Sequence, residues 1–214
     1  MLEQETIDWL KLSLVLEIGP MRGLKLLEKF KSPQAILRAP LRELAQVENV
    51  GKQVAERIVK NREKIDLENQ LKLIEENKVK IIPLVNESYP EQLKAIFDPP
   101  LVLFVKGEIK PLDYFSVAIV GTRLASVYGR QMSQKLSGQL AEKGLTVVSG
   151  GARGIDTEAH KTALRAGGRT IAVLGCGLDI TYPSENKRLF EEISKNGALV
   201  SEFPLGTKPD KINF

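Results

Sequence analysis

Past Pro111 the sequence settles into a strict alternation of short β-branched apolar runs and longer amphipathic ones. Residues 117–120, 146–149, 170–174 and 198–201 read as strands, and residues 127–143, 155–166 and 184–196 as the helices between them. Strands joined through a helix at this spacing run parallel with right-handed crossovers, which puts helices on both faces of the sheet. Ligands in such sheets bind beyond the carboxyl ends of the strands, so the residues just after each strand are the informative ones. Four glycine-bearing loops would gather there. Gly121-Thr122-Arg123 follows the first strand, and Gly150-Gly151-Ala152-Arg153-Gly154 follows Ser149 at the end of the second. Gly175-Cys176-Gly177 follows the third and leads to Tyr182-Pro183-Ser184-Glu185-Asn186, while Glu202-Phe203-Pro204-Leu205-Gly206-Thr207 follows the fourth.

The N-terminal stretch has a helical rhythm instead. Trp9, Leu10, Leu12, Leu14, Val15, Leu16 and Ile18 form a broad apolar face that should stop at the helix-ending pair Gly19-Pro20. A second amphipathic piece covers 24–30, and Ser32-Pro33 supplies an N-cap with proline at the first helical position. Residues 44–58 follow the pattern of a helix, a tight glycine turn and a second helix, and residues 62–78 make a charged amphipathic helix. The runs 81–85 and 101–105 read as strands around the Pro-rich stretch 89–100. The expected division is therefore a small helical domain, residues 1–80, and an α/β domain, residues 81–214.

Composition removes several classes of function. One cysteine, Cys176, excludes an internal disulfide and fits a reducing cytoplasm. With one histidine besides, the usual structural zinc site is excluded and no metal is expected. No apolar run approaches the roughly 20 residues needed to cross a bilayer, and MLEQETIDWL does not read as a secretory signal. The net charge of +4 is spread along the chain without a basic tail. Any binding of a polyanion must come from the spatial arrangement of charges.

The second glycine loop is the sharpest signal. Glycines at 150, 151 and 154 leave the backbone uncluttered, so consecutive N–H groups can point at one anion beside the start of a helix. Arg123 and Arg153 can add bidentate phosphate contacts. The plainer reading is that the glycines merely permit tight turns. The loop matches neither G-x-x-x-x-G-K-[ST] nor G-x-G-x-x-G, and no acidic residue stands where a ribose hydroxyl would need one, which disfavours a phosphate-hydrolysing P-loop and a nicotinamide dehydrogenase. No cofactor is implied. One histidine gives no catalytic triad, and no catalytic residue is assigned. Asp156 and His160 read as an i,i+4 polar pair or, for Asp156, an N-terminal cap. Cys176 reads as a small residue at a strand exit. Glu185 and Glu202 suit charge balancing and loop anchoring, with acid–base roles as the alternative.

The motifs Gly121-Thr122-Arg123 with Ala125-Ser126 and Tyr128-Gly129, SGGARGID with Ala159-His160, LGCGLD with Tyr182-Pro183 and Glu185-Asn186, and SEFPLGT with Pro209 resemble the DNA-processing protein A family (DprA, also called Smf). The match runs in order from about Ile81 to the end, and the helical part is similar to that family's leading domain. The resemblance implies an extended Rossmann-like parallel sheet preceded by a small all-α, helix-hairpin-helix or SAM-like domain. It implies sequence-independent binding of single-stranded DNA, loading of a RecA-type recombinase during DNA uptake in natural transformation, a homodimer in the full-length protein, a cytoplasmic location and no membrane. Carried over, Arg123 resembles the key phosphate contact and 150–154 the phosphate pocket, with Ser149, Gly121 and Thr122 beside them and Asn186, Lys187 and Lys208 as further candidate contacts. Family members continue past Asn213-Phe214, so the chain is expected to be truncated at its C-terminus. Tyr128, Tyr182 and Phe203 are candidate stacking platforms or packing aromatics. The 44–58 hairpin suits either a DNA contact beside Lys52 or a scaffold or protein-docking role. Its turn has Asn49 where DNA-binding hairpins prefer glycine, and Glu48 carries the wrong charge. The competing function is a nucleotide-processing enzyme of the Rossmann-like phosphoribohydrolase type, with Glu185 or Glu202 activating water.

Overall fold

A computed structural model describes residues 2–213, so Phe214, the last residue of the expected second domain, lies outside the described residues. By compactness the chain divides into two units, Met1–Lys72 with Ile81–Leu103, and Leu73–Lys80 with Phe104–Phe214.

The first unit is built on helices α1 (Gln4–Leu14), α2 (Pro20–Phe30), α3 (Pro33–Arg38), α4 (Leu41–Leu44) and α5 (Gly51–Arg62). The Ser32 hydroxyl caps α3 as its sequence suggests, accepting from the Ala35 N–H at 3.2 Å. The pair Gly19-Pro20 acts differently from expectation. The first helix already ends at Leu14, and Pro20 opens the second helix with Gly19 as its N-cap. A proline's fixed φ and missing N–H suit a first helical position as well as they suit a stop. Val15 and Ile18 remain buried in the connecting turn, which is why the apolar pattern continues past the helix end. Two hairpins result, one from α1 to α2 and one from α4 to α5. Asn49 takes φ 64° and Gly51 φ 60° in the second turn, a left-handed geometry that asparagine tolerates better than most residues. Arg22 ties the two turns together, its Nε donating to the Asn49 carbonyl and its Nη1 to the Glu17 carbonyl, both at 3.1 Å. Lys25 pairs with Glu48 at 3.2 Å. Trp9, Leu10, Leu12, Leu26, Ile36, Leu44 and Ile58 are buried and form the apolar interior. The Pro-rich segment beyond holds the short helix α7 (Glu91–Lys94) and is anchored by Tyr89, whose buried hydroxyl donates to the Pro100 carbonyl at 2.8 Å.

The remaining elements are α6 (Leu67–Glu76), β1 (Lys80–Pro83), β2 (Val102–Gly107), β3 (Ser116–Ala118), α8 (Val127–Glu142), β4 (Thr146–Ser149), α9 (Ile155–Arg165), β5 (Thr170–Val173), α10 (Lys187–Asn196) and β6 (Ala198–Ser201). They make a mixed α/β fold with a six-stranded sheet in the order β1-β2-β6-β5-β4-β3. The last four strands in sequence pair in parallel as the alternation requires, with Val147 opposite Val117 and Thr170 opposite Val147. The exception is β2, which runs antiparallel to β6 with Phe104 opposite Ser201. Small residues bring α8 and α9 close: the Ser133 and Ser137 hydroxyls donate to the Ile155 and Ala159 carbonyls at 3.1 and 2.5 Å. Ala141 of α8, Ala159 and Ala163 of α9 and Val147 of β4 pack as a core cluster.

A buried ion pair closes the amino ends of the strands. Asp113 accepts from Thr146 Oγ1 at 2.6 Å, from the Lys110 N–H at 2.7 Å, and from Arg169 Nε and Nη2 at 2.9 and 2.8 Å. Arg169 Nη2 also donates to the Glu108 carbonyl at 2.8 Å. Burial alone would raise the Asp113 pKa, but these donors, Arg169 foremost, hold it below the ordinary 3.8.

His160 sits wholly buried on α9. The Thr170 hydroxyl donates to the Val147 carbonyl at 2.7 Å, so the 2.6 Å contact between His160 Nδ1 and Thr170 Oγ1 needs the proton on Nδ1. Burial lowers the His160 pKa from 6.5 to about 4. The unfolded chain therefore binds this proton first as pH falls, and stability is full above about pH 6.5 and declines toward pH 4. The expected loss is about 2 kcal/mol between pH 7 and pH 5. Urea unfolding at the two pH values should register it, and a His160→Leu variant should lose less between them; equal losses would refute the assignment.

Candidate nucleic-acid interface

The parallel run of β3 to β6 puts their carboxyl ends on one edge, and the first two loops meet there. The first loop ends at Ser126, which caps α8 by accepting from the Gly129 N–H at 3.1 Å. The second ends at Gly154, which has φ 80° and lies flat against the first. A Cβ at Gly154 would stand 2.3 Å from the Thr122 carbonyl oxygen and 2.7 Å from that of Arg123. The Ile155 N–H donates to the Thr122 carbonyl at 3.3 Å, and a Cβ at Gly121 would come within 2.7 Å of the Ile155 side chain. Glycine is needed at 154 for backbone conformation and for this approach together. Thr122, exposed on the first loop, accepts through Oγ1 from the Leu124 N–H at 3.2 Å.

An open cleft of about 390 Å³ lies where the two loops meet α8, α9 and the turn at 184–186. Arg123, Arg130, Arg153 and Lys161 line it, against the carboxylates Glu158 and Glu185. Gln134 Nε2 donates to Glu158 at 2.7 Å. Arg153 meets Glu185 through a bidentate pair, Nε to Oε1 and Nη2 to Oε2, the latter at 3.0 Å, with both side chains half-exposed. Those hydrogen bonds raise the Arg153 pKa and lower that of Glu185.

A carboxyl group of the chain itself meets part of the amide edge of the second loop. Asp156, buried at the second position of α9, reaches back so that its Oδ2 accepts from the Ala152 N–H at 3.3 Å. Burial raises its pKa above 3.8, opposed by hydrogen bonds from the Ala152, Gly121 and Gly150 amides. The nest expected to cradle a phosphate thus already holds a carboxyl group of the chain itself. Ser149 is buried and donates to the Ile119 carbonyl at 2.6 Å. Gly150 abuts Asp156, and Gly151 packs so closely on Phe190 that a Cβ would lie 2.9 Å from the ring. The Ala152 carbonyl accepts from Thr157 Oγ1 at 2.7 Å. Residues 149–152 are thus tied into the fold by these contacts, while charged side chains line the cleft.

Asn186 belongs with them. It is buried, and its Nδ2 donates to the Gly151 carbonyl at 3.0 Å and to Thr157 Oγ1 at 2.8 Å, clamping the third loop onto the second. Lys187 and Lys208 are exposed and lie outside the cleft lining. The aromatic candidates also lie outside it: Tyr128 and Tyr182 are exposed and Phe203 is half-buried. Cys176 is buried, and burial raises its thiol pKa, with Asp179 adding to the shift. Arg130 and Lys161 are cleft residues that reading loops alone does not find. The signal for Lys161 is the helical spacing 154, 157, 158, 161, which sets it on the face of α9 that continues the loop. Among the described residues no cluster of three His, Cys, Asp or Glu side chains is placed to hold a metal, and no helix is long and apolar enough to cross a membrane.

Comparison with known proteins bears on the whole chain. A family model described as DNA recombination-mediator protein A matches residues 80–214, and one described as a SAM-like helix-hairpin-helix tandem matches residues 10–64. Protein Smf of Synechocystis sp. is 37% identical over 221 residues, an alignment spanning 100% of this chain and 55% of the relative. Protein Smf of Escherichia coli is 44% identical over 149 residues, spanning 69% of this chain and 40% of the relative. DNA processing protein DprA of Bacillus subtilis is 41% identical over 140 residues, spanning 65% and 47%. The chain thus spans about half the length of the curated relatives it matches. The X-ray structure of DNA processing protein A from Streptococcus pneumoniae superposes with a TM-score of 0.79 at 31% identity, covering 99% of this chain and 72% of that one. A structure of DNA processing protein A from Helicobacter pylori, described for its single-stranded DNA binding mode, gives 0.57 at 36% identity, covering 64% and 61%.

Proposed function

The chain belongs to the DNA recombination-mediator protein A family, which includes the proteins called Smf and DprA, and from that premise we propose that it binds single-stranded DNA without sequence preference through the cleft between its first two loops. The observation that carries the reading is the packing of Gly154 against Thr122 and Arg123, which sets Arg123 in one cleft with Arg130, Arg153 and Lys161. Cations arranged around a concave wall suit a sugar-phosphate chain, whose phosphates are the same whatever the bases. Arg123, Arg153, Arg130 and Lys161 are the proposed phosphate contacts. Asn186 and residues 149–152 hold the wall in shape. The single-stranded DNA binding named for the Helicobacter pylori relative supports the ligand class.

Arg123→Glu tests it. Losing a charge-assisted contact and gaining a repulsion should weaken oligo-dT binding by about 10- to 100-fold. The slope of log affinity against log salt should fall by about 0.7 for the lost phosphate. Wild type should hold oligo-dT more tightly than duplex. Unchanged affinity in the variant, with its melting transition intact, would overturn the reading.

The finer part of the proposal is that the DNA-bound protein, as a cytoplasmic homodimer in its full length, loads a RecA-type recombinase during DNA uptake. Co-sedimentation of a RecA-type recombinase with the protein–oligo-dT complex is its test, and absence of the recombinase from the pellet would remove the loading role. In the helical unit Arg22 is engaged with two backbone carbonyls and Lys25 with Glu48, which favours a scaffold or docking role for the hairpins over a DNA contact.

A further inference from the structure

We propose that Glu185 sets the affinity of the cleft by acting as a built-in competitor for Arg153, a carboxylate that the incoming phosphate must displace. The inference rests on the proposed DNA-binding reading and goes a step beyond it, assigning to an acidic residue a role that opposes the ligand.

The geometry points to displacement and not to support. Arg153 and Glu185 are joined through two parallel N–H···O contacts, Nε to Oε1 and Nη2 to Oε2. A bidentate carboxylate occupies the same fork of the guanidinium that a phosphate's two oxygens would use. Both side chains line the cleft with Arg123, Arg130 and Lys161, and both are half in solvent at 58% and 50% exposure. A pair this exposed is weakly held, so a ligand can open it. Glu185 lies on the short 3-10 turn Ser184–Asn186, and its neighbour Asn186 is fixed by hydrogen bonds to Gly151 and Thr157. The backbone that carries the carboxylate is therefore anchored next to the loop that carries Arg153, and the competitor cannot drift away. The same arrangement recurs below it, where Asp156 fills the amide nest. The two differ in burial. Asp156 is inside the fold, whereas Glu185 faces the cleft, so only the Glu185 pair is open to exchange.

Two effects follow for the free-to-bound transition. A phosphate that takes Arg153 loses its own condensed cation, but the bared Glu185 carboxylate retains one in its place, so the exchange releases little net salt. Once displaced, Glu185 stays beside the phosphate as a like charge. Removing its charge while keeping its shape should reverse both effects.

Oligo-dT binding by the full chain, titrated with salt, is the experiment, using wild type, Glu185→Gln, Arg153→Ala, the double variant and Arg123→Glu. Glu185→Gln should bind about threefold to tenfold more tightly, with a salt slope steeper by about 0.7 because the phosphate at Arg153 then loses its cation with no bared carboxylate to retain one. In the Arg153→Ala background the same substitution should give a much smaller gain, since its main route of action is gone. Weaker or unchanged binding by Glu185→Gln, or an equal gain with and without Arg153, overturns the inference. Weaker binding would mean that Glu185 orients Arg153 for the phosphate. Full-strength binding by Arg123→Glu would overturn the underlying DNA-binding reading, whatever Glu185 does.

Discussion

Asp113→Ala should lower the stability of the α/β unit by about 3 kcal/mol, near the lower end of what breaking a buried ion pair costs. The carboxylate accepts four hydrogen bonds, from Lys110, Thr146 and twice from Arg169, and its removal strands all of these donors. Arg169 would be left with backbone carbonyls alone, at Glu108 and Asn196. It is 18% exposed and recovers some hydration, which keeps the loss toward the lower end. In a chain of this size the melting temperature should drop by about 6–12 °C. Asp113→Asn preserves the shape and removes the charge, and it should recover only part of the loss. The pH dependence provides a second check. The folded pKa lies below 3.8, so the pair's contribution is present above about pH 4 and is given up as pH falls further. Asp113→Ala should therefore show a shallower loss than wild type between pH 4 and pH 2. Equal stability of variant and wild type at pH 7 would refute this account of the pair.

Gly154→Ala should be comparably damaging, and should also weaken the proposed DNA binding. Gly154 has φ 80° and ψ −123°, a conformation that costs an L-residue about 1–3 kcal/mol by itself. The methyl group would also meet the Thr122 carbonyl oxygen at 2.3 Å and that of Arg123 at 2.7 Å, and neither backbone atom can rotate aside. The first loop must move, taking Arg123 with it, so a loss of about 3 kcal/mol with binding reduced at least tenfold is expected. Gly144→Ala separates the two causes. Gly144 also has a positive φ of 77°, but an added Cβ would have nothing within 4 Å. It should cost about 1 kcal/mol and leave DNA binding unchanged. Calorimetry with oligo-dT titration on both variants checks this, and normal binding by a folded Gly154→Ala protein would refute the coupling between the loops.

The α/β half was legible because β3, β4 and β5 are short apolar runs each followed within three residues by glycine, a pattern with few competing solutions. Two strands, Thr146–Ser149 and Ala198–Ser201, occupy the expected residues. The end of the first helix was misplaced because proline has the same local signature after a helix as at the start of the next one. In the site, the meeting of Arg123 with Gly154 follows from parallel topology alone, since the strands that carry their loops are neighbours. What each polar group faces does not. The glycine loop announces available amides, and only the fold reveals that Asp156 turns back to occupy them. Asn186 has the same polarity as a ligand contact, yet its burial makes it a clamp. Arg130 and Lys161 were missed because they lie on helices, where loop spacing carries no information about them.

Asp156, seated among the amides of both loops, orders them in the free protein. The conformational entropy of ordering is lost when the protein folds, so it does not weigh against association. In the proposed complex the partner that must stiffen is then the nucleic acid. Tracts that differ in stacking and backbone flexibility would be told apart by their own mechanics, with no base being read.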